Sequence, residues 1–438
     1  MTDTRSFRQR IYDMLMESQY WQPEQMRAFQ LTQLEPLLRH ARENVPFYKT
    51  RLDPVFRQNG EIDWSRWHEI PIVTRADLRD RHDEMLAATL PPGHGPSKTF
   101  YSSGSSGVPV AVESTAIWTH ANHATGYRFY ELQKVESRGM RATVSNKTLT
   151  GEVLHDEFYF KGNGKQSGNP ANDAREIVLN RALPESRKLD LLEAEQVVYL
   201  HDIPNNLEIL ARTNLARKNP VKLEAIMCFG QGVTQDQRNL FQASFGARTL
   251  SIYSSQEGGM MGCQCGNESH YHLNPEIVHM EILTPEGKAC KPGETGRVVI
   301  TPFFSTALPL IRYDQGDTAE LNPSCTCDSM LPVLRNITGR QDHFMRFPEG
   351  LRSATGLNQK LLREHLNALA FQIAQVETFT LEIRFLPADV GKAVNAEPIV
   401  AHIRALIHPK LDVIFKPVEK IPLNAGGKQQ RIVCEIPP

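Results

Sequence analysis

The chain has 438 residues, of which 40% are hydrophobic and 23% charged, and its 49 basic and 50 acidic side chains leave a formal net charge of -1. The charges nearly cancel and form no long run of one sign, so nothing in the composition suggests a nucleic-acid or membrane-surface partner, and the length allows about two to three domains. The first residues form no apolar signal segment and no later run reaches transmembrane length, so we expect a cytoplasmic protein with no nucleic-acid and no membrane partner.

The N-terminal part of the chain predicts helices with defined ends. Residues 6–43 are rich in helix formers, with apolar residues at helical spacing, for instance Leu31, Leu34, Leu37, Leu38 and Ala41. This periodicity predicts a pair of helices packed on the main body. Pro46 should end the second helix, and Thr74 is a predicted N-cap for a helix that begins near Arg75.

A loop rich in serine and glycine follows, between two apolar segments that favour β-strands. The loop consists of Ser102, Ser103, Gly104, Ser105, Ser106 and Gly107. Glycine lets backbone N–H groups approach an anion closely, and serine hydroxyls add donors, so the loop suits a polyphosphate. The same composition is typical of a flexible linker, and the loop alone leaves both interpretations open.

The middle of the chain predicts a parallel sheet. Thr115 to Gln133 is a predicted helix and Ala142 to Val144 a buried strand, whereas residues 161–174 are a polar surface excursion. That excursion contains Gly164 and Lys165 but no P-loop, because Tyr159 stands where the pattern needs glycine.

Strands and helices then alternate from residue 189 to residue 252, as expected of a parallel sheet. The predicted elements are Val197 to Leu200, Asn205 to Arg217, Leu223 to Phe229, Gln235 to Phe245 and Ala247 to Tyr253. Ligands usually bind at the carboxyl ends of such strands. Two loops there are candidates, one with Gly230 and Gln231 and one running from Tyr253 to Gly259.

The last third of the chain changes character. Residues 270–320 have short β-runs and turn residues, which predict a small β-rich subdomain. The segment from Gly339 to Asp342 is predicted to interrupt the regular structure before the last unit of the chain. A predicted helix at about 357–370, further strands and a glycine-rich loop ending at Lys428 form a small α+β unit. We therefore expect an α/β protein with a mixed N-terminal region over 1–340, whose β-rich part covers about 260–338, and a mobile α+β domain over 341–438.

The cysteine pattern points to a metal. Seven cysteines without a signal segment argue against a disulfide framework, and two Cys-x-Cys pairs are present. Thiolates and imidazole at this spacing suit tetrahedral zinc, and a closed shell of four ligands indicates a structural site. The predicted ligands are Cys265, His272, Cys325 and Cys327, with Cys263 as the substitute. The alternative is a set of buried free cysteines.

Several segments, taken together and in order, resemble the adenylate-forming superfamily of acyl-CoA synthetases, adenylation domains and luciferases, and most closely its phenylacetate-CoA ligase branch. The resemblance covers nearly the whole chain and includes a similar Cys/His pattern. The segments are Asn44 to Tyr48, Pro71 to Leu78, Ser102 to Pro109, Tyr253 to Glu257, Leu308 to Asp317, Gly339-Arg340 with Asp342, and Pro422 to Lys428.

The resemblance implies a role for each site residue. The loop from Ser102 to Gly107 would hold the β- and γ-phosphates of ATP, and Glu257 would help to bind Mg²⁺. Other implied contacts are Tyr253, Gly230 and Gln231 with adenine, Asp317 with the ribose hydroxyls, Arg340 with the sugar or phosphate, and Lys428 with the carboxylate and the α-phosphate. Taken singly, each of these residues also fits an ordinary structural or surface role.

Three departures from the family pattern bear on function. Ser106 stands where threonine is usual, Val110 where many relatives have lysine, and Asp314-Gln315 replaces a more basic pair. The stretch from Phe344 to Gly350 places its glycine one residue out of step. Because this hinge region governs the second half-reaction, adenylation is better supported than thioester formation.

The resemblance thus implies a ligase that uses ATP and Mg²⁺ to form an acyl-adenylate from an organic acid, expected to be aromatic, and passes it to coenzyme A. A second hypothesis keeps the adenylate but uses an amine, a hydroxyl or another acceptor, as in natural-product pathways. A third is a catalytically silent, zinc-stabilised nucleotide-binding or interaction protein. The acid, the acceptor and the formation of a homodimer stay open.

Overall fold

The computed structural model describes residues 7–101, 110–135, 139–148, 152–161, 175–266, 270–322, 325–338, 344–353, 357, 359–389, 391–422 and 430–436. Across these ranges, no helix has the length and apolar character needed to cross a membrane. The two largest sheets have twelve and four strands, and two further sheets are two-stranded hairpins.

In chain order, the strands are β1 (Lys98–Tyr101), β2 (Ala111–Ser114), β3 (Arg141–Ser145), β4 (Phe158–Lys161), β5 (Glu176–Asn180), β6 (Tyr199–Asp202), β7 (Ala225–Cys228), β8 (Arg248–Ser255), β9 (Gly259–Gln264), β10 (Tyr271–Leu273), β11 (Val278–Leu283), β12 (Thr295–Pro302), β13 (Tyr313–Asn322), β14 (Val333–Thr338), β15 (Phe344–Phe347), β16 (Gly350–Ser353), β17 (Ala368–Glu377), β18 (Thr380–Pro387), β19 (Asp412–Pro417) and β20 (Ile432–Cys434). The large sheet has the order β11-β12-β13-β14-β10-β9-β8-β7-β6-β3-β5-β4.

Helices connect and cover the parallel strands. The helices are α1 (Phe7–Ser18), α2 (Pro23–Asn44), α3 (Arg75–Asp80), α4 (His82–Met85), α5 (Ala116–Leu132), α6 (Glu185–Ala194), α7 (Pro204–Leu215), α8 (Gln235–Phe245), α9 (Gln359–Leu366) and α10 (Ala396–Leu406). α6, α7 and α8 share an apolar core with one face of β3, β5, β6 and β7. α5 packs on the opposite face, where Phe129 shares an apolar cluster with Tyr199 of β6 and with Ala225 and Met227 of β7.

Local capping explains why several helix boundaries follow the sequence. Thr74 caps α3 and forms a reciprocal capping box with Asp77. Thr234 caps α8 in the same way, and Gly246 ends that helix with a φ of 69°, a conformation that favours glycine. α2 ends before Pro46, as expected.

The β-rich part of the chain continues the large sheet. β8 pairs in parallel with β7 along one edge and antiparallel with β9 along the other. Strands β9 to β14 extend the sheet from there in antiparallel pairs. The predicted β-rich segment therefore exists, but its strands add to the parallel sheet instead of forming one of their own.

The C-terminal unit, defined as residues 344–436, is built around a separate sheet. Its order is β19-β18-β17-β20, and α9, α10 and the β15–β16 hairpin contribute to the same apolar core. The helix predicted at about 357–370 is shorter, because α9 ends at Leu366 and Asn367 has a φ of 49°. The apolar run that follows is the buried strand β17. The periodicity of such a short apolar run does not distinguish a buried strand from the end of a buried helix.

Candidate functional site

The turn between β8 and β9 places Glu257 in the interior. Glu257 is 1% exposed, and Gly259 closes the turn with a φ of 68°. Asn122 on α5 fixes this turn, because its side-chain oxygen accepts the N–H of Met260 at 2.7 Å. The turn therefore carries a carboxylate, and carboxylate oxygens are the kind of ligand that Mg²⁺ prefers.

Tyr253 and Asp317 meet at the same part of the sheet. The Tyr253 hydroxyl donates a hydrogen bond to Oδ2 of Asp317 at 2.7 Å, and both side chains are buried. Three strands separate β8 from β13, which would place them roughly 19 Å apart in a flat sheet. Strong curvature of the sheet therefore brings together two residues that sequence analysis assigned to one nucleotide.

Arg75 is a functional candidate that sequence analysis missed. Its guanidinium lies 3.3 Å from Oε1 of Glu257, and Arg75 is the first residue of α3. The segment from Pro71 to Leu78 pointed to this part of the chain, but nothing in the sequence connects Arg75 with a carboxylate 182 positions away.

Arg312 was also missed, and its role is structural. Its guanidinium pairs with both oxygens of Glu281, at 3.1 Å and 3.0 Å, and donates to the carbonyls of His68 and Ile70. The side chain is 2% exposed. Arg312 thus anchors the start of β13, the strand that carries Asp317.

Gly230 and Gln231 follow β7 at the carboxyl edge of the parallel strands. Gly230 has a φ of 70°, and the preceding Phe229 contacts His201 of β6 with ring centroids 4.8 Å apart. Burial keeps His201 neutral and lowers its pKa to about 4. This edge is where the sequence placed the adenine contacts.

The predicted phosphate loop, Arg340 and Lys428 lie outside the described residues. Around the loop, β1 and β2 form the antiparallel pair that its flanks predicted, with Tyr101 opposite Ala111. Val110, where many relatives have lysine, is 2% exposed and packs in the core. The stretch that departs from the hinge pattern forms the β15–β16 hairpin.

Four predicted zinc ligands converge. The ligand atoms of Cys265, His272, Cys325 and Cys327 all lie within 4.8 Å of one another. Cys265 Sγ is 3.6 Å from Cys325 Sγ, and Cys327 Sγ is 3.2 Å from His272 Nε2. Tetrahedral zinc with Zn–S bonds of about 2.3 Å separates two sulfurs by roughly 3.8 Å, so the donor set fits this metal.

Cys263 is not brought into this cluster. Its side chain is 1% exposed and packs in the apolar core beneath α5, where burial raises its pKa to about 11. His270, which sequence analysis did not select, lies close to the cluster instead, with Nε2 3.0 Å from Cys325 Sγ.

Comparisons with known proteins give a consistent result. No family model matches the chain. The chain is 26% identical to a phenylacetate-coenzyme A ligase of Thermus thermophilus, over 94% of this chain and 96% of that protein, and 25% identical to one of Escherichia coli over 74% and 72%. It superposes on a 2-hydroxyisobutyryl-CoA ligase structure, solved in the postadenylation state, with a TM-score of 0.72 and 15% identity over 96% and 92% of the chains.

These findings define the class first. The chain has the fold of the adenylate-forming ligases, and the curated proteins to which it is related indicate an AMP-forming ligase. Within that class, it is a homologue of the phenylacetate-coenzyme A ligases. The predicted fold class and the predicted relationship are confirmed.

Proposed function

We propose that this protein joins a carboxylic acid to AMP at the expense of ATP and then transfers the acyl group to coenzyme A. The single observation that supports this function best is the buried Tyr253–Asp317 hydrogen bond at the sheet edge that also carries Glu257. It joins a ring that would pack against adenine to a carboxylate that would accept hydrogen bonds from the ribose, and Glu257 in the turn after β8 would bind the metal. The curated relatives are phenylacetate-coenzyme A ligases, and we propose an aromatic acid as the substrate.

The chemistry requires charge neutralisation more than a protein nucleophile. The acid oxygen attacks the α-phosphorus, an acyl–phosphate bond forms, and the bond to the departing pyrophosphate breaks. Asp317 would accept hydrogen bonds from the ribose hydroxyls. The Tyr253 hydroxyl would orient Asp317, and the Tyr253 ring would pack against adenine. Glu257 would supply an oxygen ligand for Mg²⁺, which when bound offsets phosphate charge.

Residues outside the described ranges complete the proposal. Ser102 to Gly107 would hold the departing phosphates, Arg340 would contact the ribose or a phosphate, and Lys428 would stabilise the charge that builds between the carboxylate and the α-phosphate. Loss of one such donor typically costs about 10²- to 10³-fold in rate. We place the boundary between the two domains near residue 340, where the large sheet has ended and the separate C-terminal core has not begun.

A panel of carboxylic acids tests the proposal. Purified protein with ATP and Mg²⁺ should release pyrophosphate with at least one acid, and Lys428→Ala should not. Release that never depends on an acid, or no release together with no ATP binding, would contradict adenylation. Mass spectrometry of reactions with coenzyme A or with amines then identifies the acceptor. Turnover only with an amine would contradict transfer to coenzyme A and support an amine as the acceptor.

We also propose a structural zinc ion held by Cys265, His272, Cys325 and Cys327. The convergence of three thiols and one imidazole supports it. The seven cysteines form no disulfide, which favours a reducing compartment such as the cytoplasm. Metal analysis after purification without chelators should find one zinc per chain, and its absence would refute the site.

A further inference from the structure

A buried carboxylate lies where α7 meets the C-terminal unit. Glu208 is 2% exposed and sits one turn into α7, which starts at the carboxyl end of β6. It accepts hydrogen bonds from Arg212 on its own helix at 3.2 Å, from Arg363 of α9, and from Arg431 just before β20 at 2.7 Å. Gln237 of α8 donates a longer one at 3.4 Å.

The charge balance at Glu208 depends on contacts across this boundary. Burial raises the pKa of Glu208, but Arg431, Arg363 and Arg212 together outweigh it and leave the pKa below its usual value. An ionised carboxylate is costly to bury unless it is paired. Two of its three arginines belong to the C-terminal unit, so this pairing is complete only when the unit is docked on α7.

Arg431 is itself fixed within the C-terminal sheet. Its carbonyl accepts the N–H of Ile373 on β17 at 2.8 Å, and its guanidinium lies 5.4 Å from the ring of Phe371. The same guanidinium also donates to Asn205 on α7 at 3.2 Å. Lys428 precedes Arg431 by three residues in the sequence. The position of Arg431 therefore restricts where Lys428 can reach.

We propose that Glu208 is a positioning residue for adenylation. By binding Arg363 and Arg431, it holds the C-terminal unit on α7 in the arrangement in which Lys428 serves the reaction of ATP with the acid. This inference rests on the proposed function and extends it to a residue that acts through Arg431. The family resemblance implies that the C-terminal unit rotates for thioester formation, so that half-reaction would not need these pairs.

Matched variants separate positioning from general stability. Glu208→Gln removes the charge with which both arginines of the C-terminal unit pair. Arg431→Gln removes one of these two pairs and leaves Glu208 with Arg363 and Arg212. Arg384→Gln is the control, because Arg384 pairs with Glu435 inside the C-terminal unit and is 15% exposed, against 11% for Arg431. Acid-dependent pyrophosphate release reports adenylation, and thioester formation from synthetic acyl-adenylate reports the second half-reaction.

We expect Glu208→Gln and Arg431→Gln to slow adenylation on the order of 10²-fold, as for other small misplacements of catalytic groups, with ATP binding and thioester formation retained. The double variant should be no slower than Glu208→Gln, which already removes the charge that both arginines pair with. Arg384→Gln should adenylate like the wild type. Adenylation at the wild-type rate in both test variants, or equal losses in both half-reactions, would overturn the proposal.

A measurement that needs no turnover keeps this inference distinct from the proposed function. Hydrogen–deuterium exchange of α7 and β17 should be faster in Glu208→Gln and Arg431→Gln than in the wild type and in Arg384→Gln. Unchanged exchange would refute the docking role even if the enzyme were inactive with every acid. Wild-type inactivity combined with faster exchange in the two variants would refute the proposed reaction and leave the docking contact supported.

Discussion

At the scale of single residues, the Tyr253 hydroxyl is the group that orients Asp317. Removing it with Tyr253→Phe keeps the ring in the core but leaves one carboxylate oxygen without this donor. A hydrogen bond to a charged group is worth about 1.5–3 kcal/mol, so ATP should bind roughly tenfold to a hundredfold more weakly. Isothermal titration calorimetry with ATP and Mg²⁺ measures the change.

Tyr271→Phe is the matched control for this prediction. Tyr271 lies on β10 in the same sheet, and its hydroxyl donates to Ser251 at 2.8 Å without contacting Asp317. This variant should bind ATP like the wild type. Equal affinities for Tyr253→Phe and the wild type would show that Asp317 needs no such orientation.

At the scale of elements, the β8–β9 turn depends on Gly259. A Cβ there would overlap Oδ1 of Asn122, and the φ of +68° already disfavours alanine. Gly259→Ala should therefore break the Asn122–Met260 hydrogen bond and cost about 1–3 kcal/mol more stability than the backbone strain alone. Urea unfolding measures the loss, and adenylation should fall with it because this turn carries Glu257.

Gly293→Ala isolates the strain from the clash. Gly293 has a similar φ of +78°, but its added Cβ would meet nothing within 4 Å. Its loss of stability should be the smaller of the two. If both variants lose the same amount, the close approach of Asn122 does not constrain the turn.

Strand β6 carries two neighbouring groups with opposite effects on pH stability. Burial lowers the pKa of His201 in the folded protein to about 4. The contribution of His201 to stability is therefore complete above its pKa of about 6.5 in the unfolded chain and is lost as the pH falls towards 4. Burial, only partly offset by Arg181, raises the pKa of Asp202 to about 6. Its contribution is therefore complete below about 4 and is lost as the pH rises through 6.

Variants should separate these two effects. Between pH 7 and pH 5, protonation of His201 in the unfolded chain should lower the free energy of unfolding of the wild type by about 2 kcal/mol. His201→Gln should therefore lose about 2 kcal/mol less on acidification. Asp202→Asn should lose more stability than the wild type over the same interval. Urea unfolding at both pH values provides the comparison, and parallel pH profiles for all three proteins would disprove both assignments.

Elements with local signals could be read from the sequence, whereas contacts between distant elements could not. Thr234 and Gly246 mark the two ends of α8 within a few residues of the helix itself, and the predicted bounds agree with the structure. The Arg75–Glu257 pair joins residues 182 positions apart, and neither side chain has a local pattern that specifies the other. Curvature of the sheet, which brings Tyr253 to Asp317, likewise has no signal in any short segment.

At the scale of the whole molecule, chain order carried more information than any one motif. The resemblance identified the class because its segments occur in sequence from Asn44 to Lys428, although single residues such as Asp317 fit ordinary turns equally well. The order of the segments does not indicate how the large sheet and the sheet of the C-terminal unit contact each other. Glu208 shows this limit: its arginine partners on α9 and before β20 are 155 and 223 positions away.

The proposed zinc site closes a long loop, and this determines what metal removal should do. Cys265 and Cys325 are 60 positions apart, and closing a loop of about this size by a cross-link is worth about 4 kcal/mol. Chelation or Cys265→Ser should therefore lower the thermal midpoint markedly, whereas Cys434→Ser should retain one zinc and the wild-type midpoint because Cys434 lies in the C-terminal unit, away from the cluster. Calorimetry and metal analysis on the same samples measure both quantities, and a midpoint insensitive to chelation despite complete loss of zinc would mean that the cluster holds its geometry without the ion.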